Sequence, residues 1–291
     1  MSAKNWTLLA ILSVLWGGSF LFVELALTGL PVLTIVWMRV AFAASLLALW
    51  LFVSGAGFPR ARHWGALAGM GVLNNAVPFT LLVIAQGQVT GGLASILNAT
   101  TPLWTVLVAH LFTADEKISR AKGVGLGLGF CGVALIAGGG GSASLWAVVA
   151  CLGAALSYGL SGVWGRRFKA MGLRPLQVAF GMLASATGML LPLWAAIDRP
   201  WASPMPALTP LAAVAALAVL STALAYLIYF RLLASAGAVM LSLVTFLIPV
   251  SAIGLGAVVL AEPILPRQIG GLGLILLGLL AMDGRLIKWR G

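Results

Sequence analysis

Polar and aromatic side chains recur about one helical turn apart within the apolar stretches of this chain. Four pairs have this spacing: Trp16 and Ser19, Asn98 and Thr101, Tyr158 and Ser161, and Thr222 and Tyr226. Residues three or four positions apart lie on the same face of a helix, so each pair can present a polar or aromatic face to a shared cavity. Amide and hydroxyl groups bind polar solutes through hydrogen bonds, and aromatic rings enclose apolar groups. These residue types therefore favour reversible binding of a small solute.

Three prolines lie in the middle of the same apolar stretches: Pro78, Pro102 and Pro249. Proline has no backbone N–H and frees the carbonyl group four residues earlier. The carbonyl groups concerned belong to Asn74, Asn98 and Thr245. Such groups beside amide or hydroxyl side chains can bind a substrate ammonium group, and the kinks can act as hinges. The alternative is structural, because prolines and small polar residues are common in membrane helices and bond to their neighbours.

The residues that enzymatic catalysis needs are sparse. His63 and His110 are the two histidines, no His-Glu-x-x-His motif occurs, and no pair of aspartates lies in the middle of the apolar stretches. Cys131 and Cys151 lie within apolar stretches and favour neither a disulfide scaffold nor a zinc site. The sequence therefore predicts a protein that is not an enzyme and that holds neither a metal nor a cofactor.

The composition indicates which kind of secondary structure positions the polar and aromatic candidate residues. Of the 291 residues, 62% are hydrophobic and 8% charged, and the mean hydropathy is +1.10. Soluble domains carry roughly a quarter charged residues, so that class is excluded. About 20 apolar residues of helix cross a hydrocarbon core. We predict an all-α integral membrane protein with ten transmembrane helices, over residues 7–27, 32–53, 64–85, 91–112, 122–138, 145–165, 175–196, 209–230, 238–260 and 268–284.

The net charge of +11 predicts how these helices are oriented. Alternate connections place only Arg199 and Arg267 on one side, while Arg39 lies within a span. The other side has the remaining fourteen basic residues: Lys4, Arg60, Arg62, Lys117, Arg120, Lys122, Arg166, Arg167, Lys169, Arg174, Arg231, Arg285, Lys288 and Arg290. Because Lys and Arg are retained in the cytoplasm during insertion, both termini are predicted to be cytoplasmic. The charge thus reports topology, and no nucleic-acid partner is expected.

The two halves of the chain resemble each other in one ungapped register of 147 residues. It aligns Ala66 with Ala213, Ala68 with Ala215, Leu73 with Leu220, Ala76 with Ala223, Ser95 with Ser242, Pro102 with Pro249, Asp115 with Glu262, Arg120 with Arg267, Gly123 with Gly270 and Ala134 with Ala281. Five spans per half require the second copy to be inverted, as in many secondary transporters. We predict two five-helix repeats, over residues 1–140 and 141–291. The alternative is that duplication only built a stable bundle.

Several of these features resemble a known family. They are the ten predicted helices, Trp16 with Gly17, Arg39, Ser95 with Pro102, the stretch from Asp115 to Gly123 and its second copy from Glu262 to Gly270. Together they resemble the EamA-type branch of the drug/metabolite transporter superfamily, and within it the YddG-type bacterial exporters of aromatic and other amino acids. The second half departs from the first where Met182 lies opposite Arg39. The resemblance implies two EamA-like repeats and export of a small metabolite.

Depth in the membrane selects the candidate binding residues, because polar groups at mid-membrane depth are costly. Asn74 and Asn75 lie about 15 Å into their helix at 1.5 Å per residue, and Ser221 and Thr222 lie equally deep from the other side. Deep aromatic rings can enclose an apolar side chain, although lipid-facing or core packing is the alternative. The candidate set is Trp16, Ser19, Asn74, Asn75, Asn98, Thr101, Trp104, Tyr158, Ser161, Trp164, Ser221, Thr222, Tyr226 and Thr245.

Two charged residues fall inside the predicted spans. Glu24 in the first span and Arg39 in the second lie in the outer third of the membrane, within roughly 5 Å of each other in depth. An ion pair between them would reduce the cost of burying either charge. The functional alternatives are that Glu24 carries a coupling proton or that Arg39 meets a substrate carboxylate.

The leading functional prediction is a secondary transporter of the bacterial inner membrane that exports amino acids, both aromatic and other neutral ones. It would work by alternating access through a central cavity between the repeats. The alternative is an exporter of drugs or other small metabolites with the same fold. The expected partners are the small-molecule substrate and the lipid bilayer; the oligomeric state is left open, although one monomer suffices for this mechanism.

Overall fold

The chain folds into helices in the computed structural model, which describes residues 3–114, 116–137, 145–202 and 204–282 and has no strand in these ranges. In order, the helical segments are α1 Ala3–Leu27, α2 Val32–Val53, α3 Ala61–Gln86, α4 Gly91–Phe112, α5 Arg120–Ala137, α6 Leu145–Ala170, α7 Pro175–Ile197, α8 Leu208–Gly237, α9 Val244–Leu260 and α10 Pro266–Met282. The first eight are long and apolar enough to cross a membrane, and α9 and α10 are shorter apolar helices. Helices are suited to a lipid bilayer because each helix satisfies its own backbone hydrogen bonds.

The helix bounds agree with the predicted spans except at the end of α8 and the start of α9. The eighth span was expected to end at 230 and the ninth to begin at 238. Instead α8 runs to Gly237, where φ is 79° and the axis kinks, a short helical segment follows to Leu241, and α9 begins at Val244. Both chain ends, the boundary between the predicted repeats at 140 and 141, and the basic residues Arg285, Lys288 and Arg290 lie outside the described residues.

Two wide helical turns lie at equivalent positions in the two halves. Residues Val72–Ala76 in α3 and Val219–Leu224 in α8 form π-helical turns, and their first residues are separated by the same 147 positions as the sequence register. A π-turn adds one residue to a helical turn and often occurs at functional sites. These turns carry Asn74, Asn75, Ser221 and Thr222.

The three predicted hinge prolines occupy different local structures. Pro78 follows the π-turn of α3, and Pro249 lies inside the continuous helix α9. Pro102 follows a break in α4 at residues 99 and 100, so it sits at the start of a new helical segment where its missing N–H is not needed.

The helices of the two halves are interleaved. If α1 to α5 are taken as equivalent to α6 to α10, many of the larger interfaces occur twice. The α1–α9 interface corresponds to α6–α4, α3–α6 corresponds to α8–α1, and α3–α7 corresponds to α8–α2. Two other interfaces, α2 with α7 and α5 with α10, are each formed between two equivalent helices of the two halves. The wall of any central space is therefore built from both halves.

Glycines bring α5 and α10 into backbone contact. A Cβ atom at Gly125 would lie 2.4 Å from the Gly278 carbonyl oxygen, and one at Gly132 would lie 2.6 Å from that of Gly271. Small residues at such crossings let membrane helices approach closely. This pair packs beside the central space and contributes no lining residue to it.

Candidate solute-binding cavity

A cavity of about 790 Å³ lies between the helices of the two halves. Residues of α1 to α4 and of α6 to α9 line it, so every described helix except α5 and α10 contributes. One end reaches the exposed residues Lys169 and Pro175, where α6 ends and α7 begins. The other end stops at the buried residues Gln86 and Ser95. A space of this volume is in the range that small-molecule sites occupy.

The cavity brings together most of the residues that the sequence selected. Its lining includes Trp16, Ser19, Asn74, Asn98, Thr101, Tyr158, Ser161, Ser221, Thr222, Tyr226 and Thr245. These side chains come from α1, α3, α4, α6, α8 and α9, which are far apart in sequence. The wall is mostly apolar and aromatic, with a few neutral polar groups.

Three candidates do not line the cavity. Asn75 is fully buried behind the wall. The Trp104 ring packs edge-on against Phe130, at 5.3 Å between centroids. Trp164 Nε1 donates a hydrogen bond to the Ala66 carbonyl oxygen, and the Arg167 guanidinium lies over its ring. These indole rings are half-buried, and they face neighbouring helices.

A chain of hydrogen bonds crosses the cavity wall from one half to the other. The Tyr226 hydroxyl donates to Asn74 Oδ1 at 3.3 Å, and Asn74 Nδ2 donates to Ser161 Oγ at 2.9 Å. Ser161 Oγ in turn donates to the Tyr158 carbonyl oxygen at 2.8 Å. The Asn74 amide is therefore held in a fixed orientation between α6 and α8 by partners on both sides.

The hydroxyl groups of the spaced pairs bond back to their own helices. Ser19 donates to the Trp16 carbonyl oxygen at 2.6 Å, and Thr101 donates to that of Asn98 at 2.7 Å. The Asn98 carbonyl, which we expected to be free, thus has a partner. These hydroxyl oxygens can still accept a hydrogen bond from a solute.

Two polar groups of lining residues have no hydrogen-bond partner within the described part of the chain. They are Asn98 Oδ1 and Ser221 Oγ. A buried polar group without a partner costs free energy, so a solute that bonds to it is favoured.

The predicted ion pair between Glu24 and Arg39 does not form. Arg39 Nε donates to Thr222 Oγ1 at 3.0 Å, and its guanidinium carbon lies 3.6 Å from the centroid of the Phe79 ring. Glu24 instead accepts a hydrogen bond from the Gly91 backbone N–H and contacts the Glu262 carboxyl group. The two side chains therefore contact different neighbours.

Comparison with known proteins identifies the architecture. The model of the EamA-like transporter family matches residues 4–138 and again 145–282. The chain is a member of the EamA-like transporter family. This agrees with the resemblance found in the sequence, and it makes the protein a transporter rather than an enzyme.

Several curated relatives of this EamA-like transporter are transporters by name. An uncharacterized inner membrane transporter of Escherichia coli, YedA, is 26% identical over 252 residues, which cover 84% of this chain and 79% of the relative. A probable terminal-alkyne amino-acid exporter of Streptantibioticus cattleyicolor is 28% identical over 100% of this chain and 96% of the relative. A solved crystal structure at 18% identity has the same fold, with a TM-score of 0.69 over the whole of both chains. The protein is a multi-pass protein of the bacterial inner membrane.

The closed end of the transporter is held by polar contacts between helices. Thr34 donates through both its backbone N–H and its hydroxyl to Asp198 Oδ2, at 2.6 and 2.7 Å. Beside them, the rings of Trp37 and Trp194 stack with centroids 4.0 Å apart. Gln86 Nε2 also donates to the Phe20 carbonyl oxygen at 2.8 Å. These contacts join α2 to α7 and α1 to α3 at the end remote from the opening.

Sequence reasoning missed several lining residues of this EamA transporter. Gln86, Ser95 and Tyr229 all line the cavity. Tyr229 follows Tyr226 by three positions, and its ring is tilted at 44° to that of Trp16 with the centroids 5.6 Å apart, so the same spacing rule would have added it to the candidate set. Arg39 also lines the cavity. The sequence had left open whether it pairs with Glu24 or meets a substrate carboxylate.

Proposed function

We propose that this transporter exports amino acids, aromatic and other neutral ones, by alternating access through the cavity between its two halves. The observation that carries the proposal is the chemistry of the cavity wall. It combines aromatic rings, neutral amide and hydroxyl groups and one buried arginine, and no carboxylate occurs among its described lining residues. An amino acid offers matching groups, because it has an apolar side chain beside a small, strongly polar backbone.

One relative supports this cargo. The relative from Streptantibioticus cattleyicolor is named as a probable amino-acid exporter and aligns with the whole of this chain. The cavity volume of about 790 Å³ leaves room for an aromatic side chain. The alternative cargo, a lipophilic cationic drug, is disfavoured because buried cations are usually balanced by a carboxylate.

The proposed mechanism uses ten spans in two inverted repeats, residues 1–140 and 141–291, with both termini in the cytoplasm. The paired helix interfaces and the π-turns 147 residues apart support the repeat. The distribution of Lys and Arg favours a cytoplasmic position for the end of α6 and the start of α7, since Arg166, Arg167 and Lys169 lie near the end of α6 and Arg174 directly precedes α7. The cavity opens at this connection, as an exporter that is ready to load its cargo requires.

The proposal is tested by flux into liposomes that contain the purified protein. Labelled phenylalanine, tryptophan and serine should enter faster than into protein-free liposomes. Asn98→Ala and Tyr226→Ala should each reduce flux at least several-fold, because they remove a polar group of the wall. Ser45→Ala is the matched control, since the Ser45 hydroxyl bonds only to its own helix, at Ala41, outside the cavity.

Two outcomes would contradict the proposal. Absence of flux for all three amino acids would exclude the cargo class. Normal flux through both cavity variants, with their folding intact, would show that the cavity is not the route.

A further inference from the structure

Arg39 is a buried cation whose terminal nitrogens have no hydrogen-bond partner among the described residues. Its side chain is 8% exposed and lines the cavity. The Nε atom bonds to Thr222, but neither Nη atom has a hydrogen-bond partner in the part of the chain that the structure describes. Glu24, the nearest candidate in depth, is engaged by Gly91 and Glu262 instead. An unpaired guanidinium at this depth is costly, and such residues mark ligand pathways.

The surroundings hold the guanidinium in one orientation. The Thr222 hydroxyl donates to the Leu217 carbonyl oxygen at 2.9 Å, a bond across five residues that the π-turn permits, so its lone pair faces Arg39 Nε. The Phe79 ring packs against one flat face of the guanidinium in a cation–π contact. Thr222 occupies the Nε edge of the guanidinium and Phe79 occupies one of its faces. The two Nη groups therefore remain available to a ligand in the cavity.

The free edge of the guanidinium selects the charge and shape of its ligand. Two parallel N–H groups match the two oxygens of a carboxylate, which they bind through a pair of charge-assisted hydrogen bonds. The charged side chains among the described lining residues are Arg39 and Lys169, and Lys169 lies at the exposed mouth. One deep positive charge balances one carboxylate, whereas a phosphate dianion would leave a buried negative charge uncompensated.

We propose that Arg39 binds the carboxylate of the cargo and that this contact, more than recognition of the amino group, sets the cargo class. The inference rests on the proposed function for its setting and refines the substrate of the same site. The wall has no described carboxylate to pair with an ammonium group, and it offers neutral acceptors such as Asn98 Oδ1 instead. Small amphipathic monocarboxylates should therefore be recognised whether or not they carry an amino group.

The test measures ligand binding directly, by the thermal stability of the purified protein in detergent. Phenylalanine and 3-phenylpropanoate share the carboxylate and should both raise the melting temperature. Phenylalaninamide and phenethylamine lack it and should bind about 10- to 100-fold more weakly, as expected for loss of a hydrogen-bonded charge pair. Equal affinities of the wild-type protein for phenylalanine and its amide would overturn the inference, and this comparison needs no variant.

Variants locate the contact within the cavity. Arg39→Gln should lose at least tenfold in phenylalanine affinity and with it the preference for acid over amide. Arg39→Lys keeps the charge but not the paired N–H groups, so it should retain part of that preference and serves if the Gln variant does not fold. Arg231→Gln is the control, because Arg231 lies exposed on α8 outside the cavity. Phenylalanine binding within twofold of wild type in folded Arg39→Gln would also overturn the inference.

Binding and flux together separate this inference from the proposed function. Carboxylate binding at Arg39 without flux would contradict amino-acid export and leave the Arg39 contact standing. Flux of phenylalanine that the amide inhibits as well as the acid would contradict the Arg39 contact and leave export standing. Absence of a stability shift with any of the carboxylates would contradict the Arg39 contact.

Discussion

Thr222 connects the backbone of α8 to the cavity arginine through one hydroxyl group. It donates to the Leu217 carbonyl oxygen and accepts from Arg39 Nε at 3.0 Å. Thr222→Val keeps the shape of the side chain but leaves the Arg39 Nε–H without its acceptor. We expect the affinity for a carboxylate cargo to fall about 2- to 10-fold, which corresponds to one hydrogen bond of ordinary strength.

The matched control for Thr222→Val is Thr187→Val. The Thr187 hydroxyl bonds only to the Leu183 carbonyl of its own helix, and the residue does not line the cavity. Flux measured over a range of phenylalanine concentrations gives the apparent affinity of each variant. Equal apparent affinities for the two variants would mean that Thr222 does not hold Arg39 in its binding orientation.

At this scale, the sequence predicted which residues are polar at mid-membrane depth, but not which way each side chain points. Spacing of three or four positions identified Trp16, Ser19, Asn98 and Tyr226 correctly as neighbours of one cavity. Depth alone paired Glu24 with Arg39 and was wrong, because depth fixes the position along a helix axis and not the rotation about it. That rotation depends on which helices pack together, a property of the tertiary structure.

Close packing of α5 on α10 depends on particular glycines and not on the glycine content of α5 as a whole. A Cβ atom at Gly125 would lie 2.4 Å from the Gly278 carbonyl oxygen, whereas one at Gly127 would have no heavy atom within 4 Å. Gly125→Ala should therefore destabilise the protein by about 1–3 kcal/mol, because the helices must move apart. Gly127→Ala makes the same chemical change in the same helix and should not destabilise it.

Thermal unfolding in detergent distinguishes the two alanine variants. A lower melting temperature for Gly125→Ala, with Gly127→Ala at or above wild type, is the expected result. If both variants had the same melting temperature as the wild type, the close approach of α5 and α10 described above would be wrong. Flux is a useful second measurement, since neither glycine lines the cavity.

The elements themselves were largely predictable, because apolar segments of sufficient length must form helices in a membrane. The exceptions are local departures from the regular helix. The π-turns at Val72–Ala76 and Val219–Leu224 leave no clear mark in composition, although the 147-residue register did align them. The proline rule expected a free carbonyl at Asn98, but the hydroxyl of Thr101 takes it, a contact that depends on the local side-chain rotamer.

The whole molecule has one open end and one closed end. The cavity reaches the surface between α6 and α7, while contacts such as Thr34 with Asp198 and Gln86 with Phe20 close the opposite end. A transporter that works by alternating access must break these closing contacts and form others near Lys169. A carrier of this kind exchanges cargo faster when cargo is present on both sides of the membrane, whereas flow through a channel has no such dependence.

Counterflow in proteoliposomes is the measurement that tests the central claim most directly. Liposomes containing the protein are loaded with unlabelled phenylalanine and diluted into a trace of labelled phenylalanine. We predict that labelled phenylalanine accumulates transiently above its equilibrium level inside loaded liposomes and not inside empty ones, because the loaded cargo returns the same cavity to the outside. Equal entry into loaded and empty liposomes, or no entry into either, would contradict amino-acid transport by alternating access.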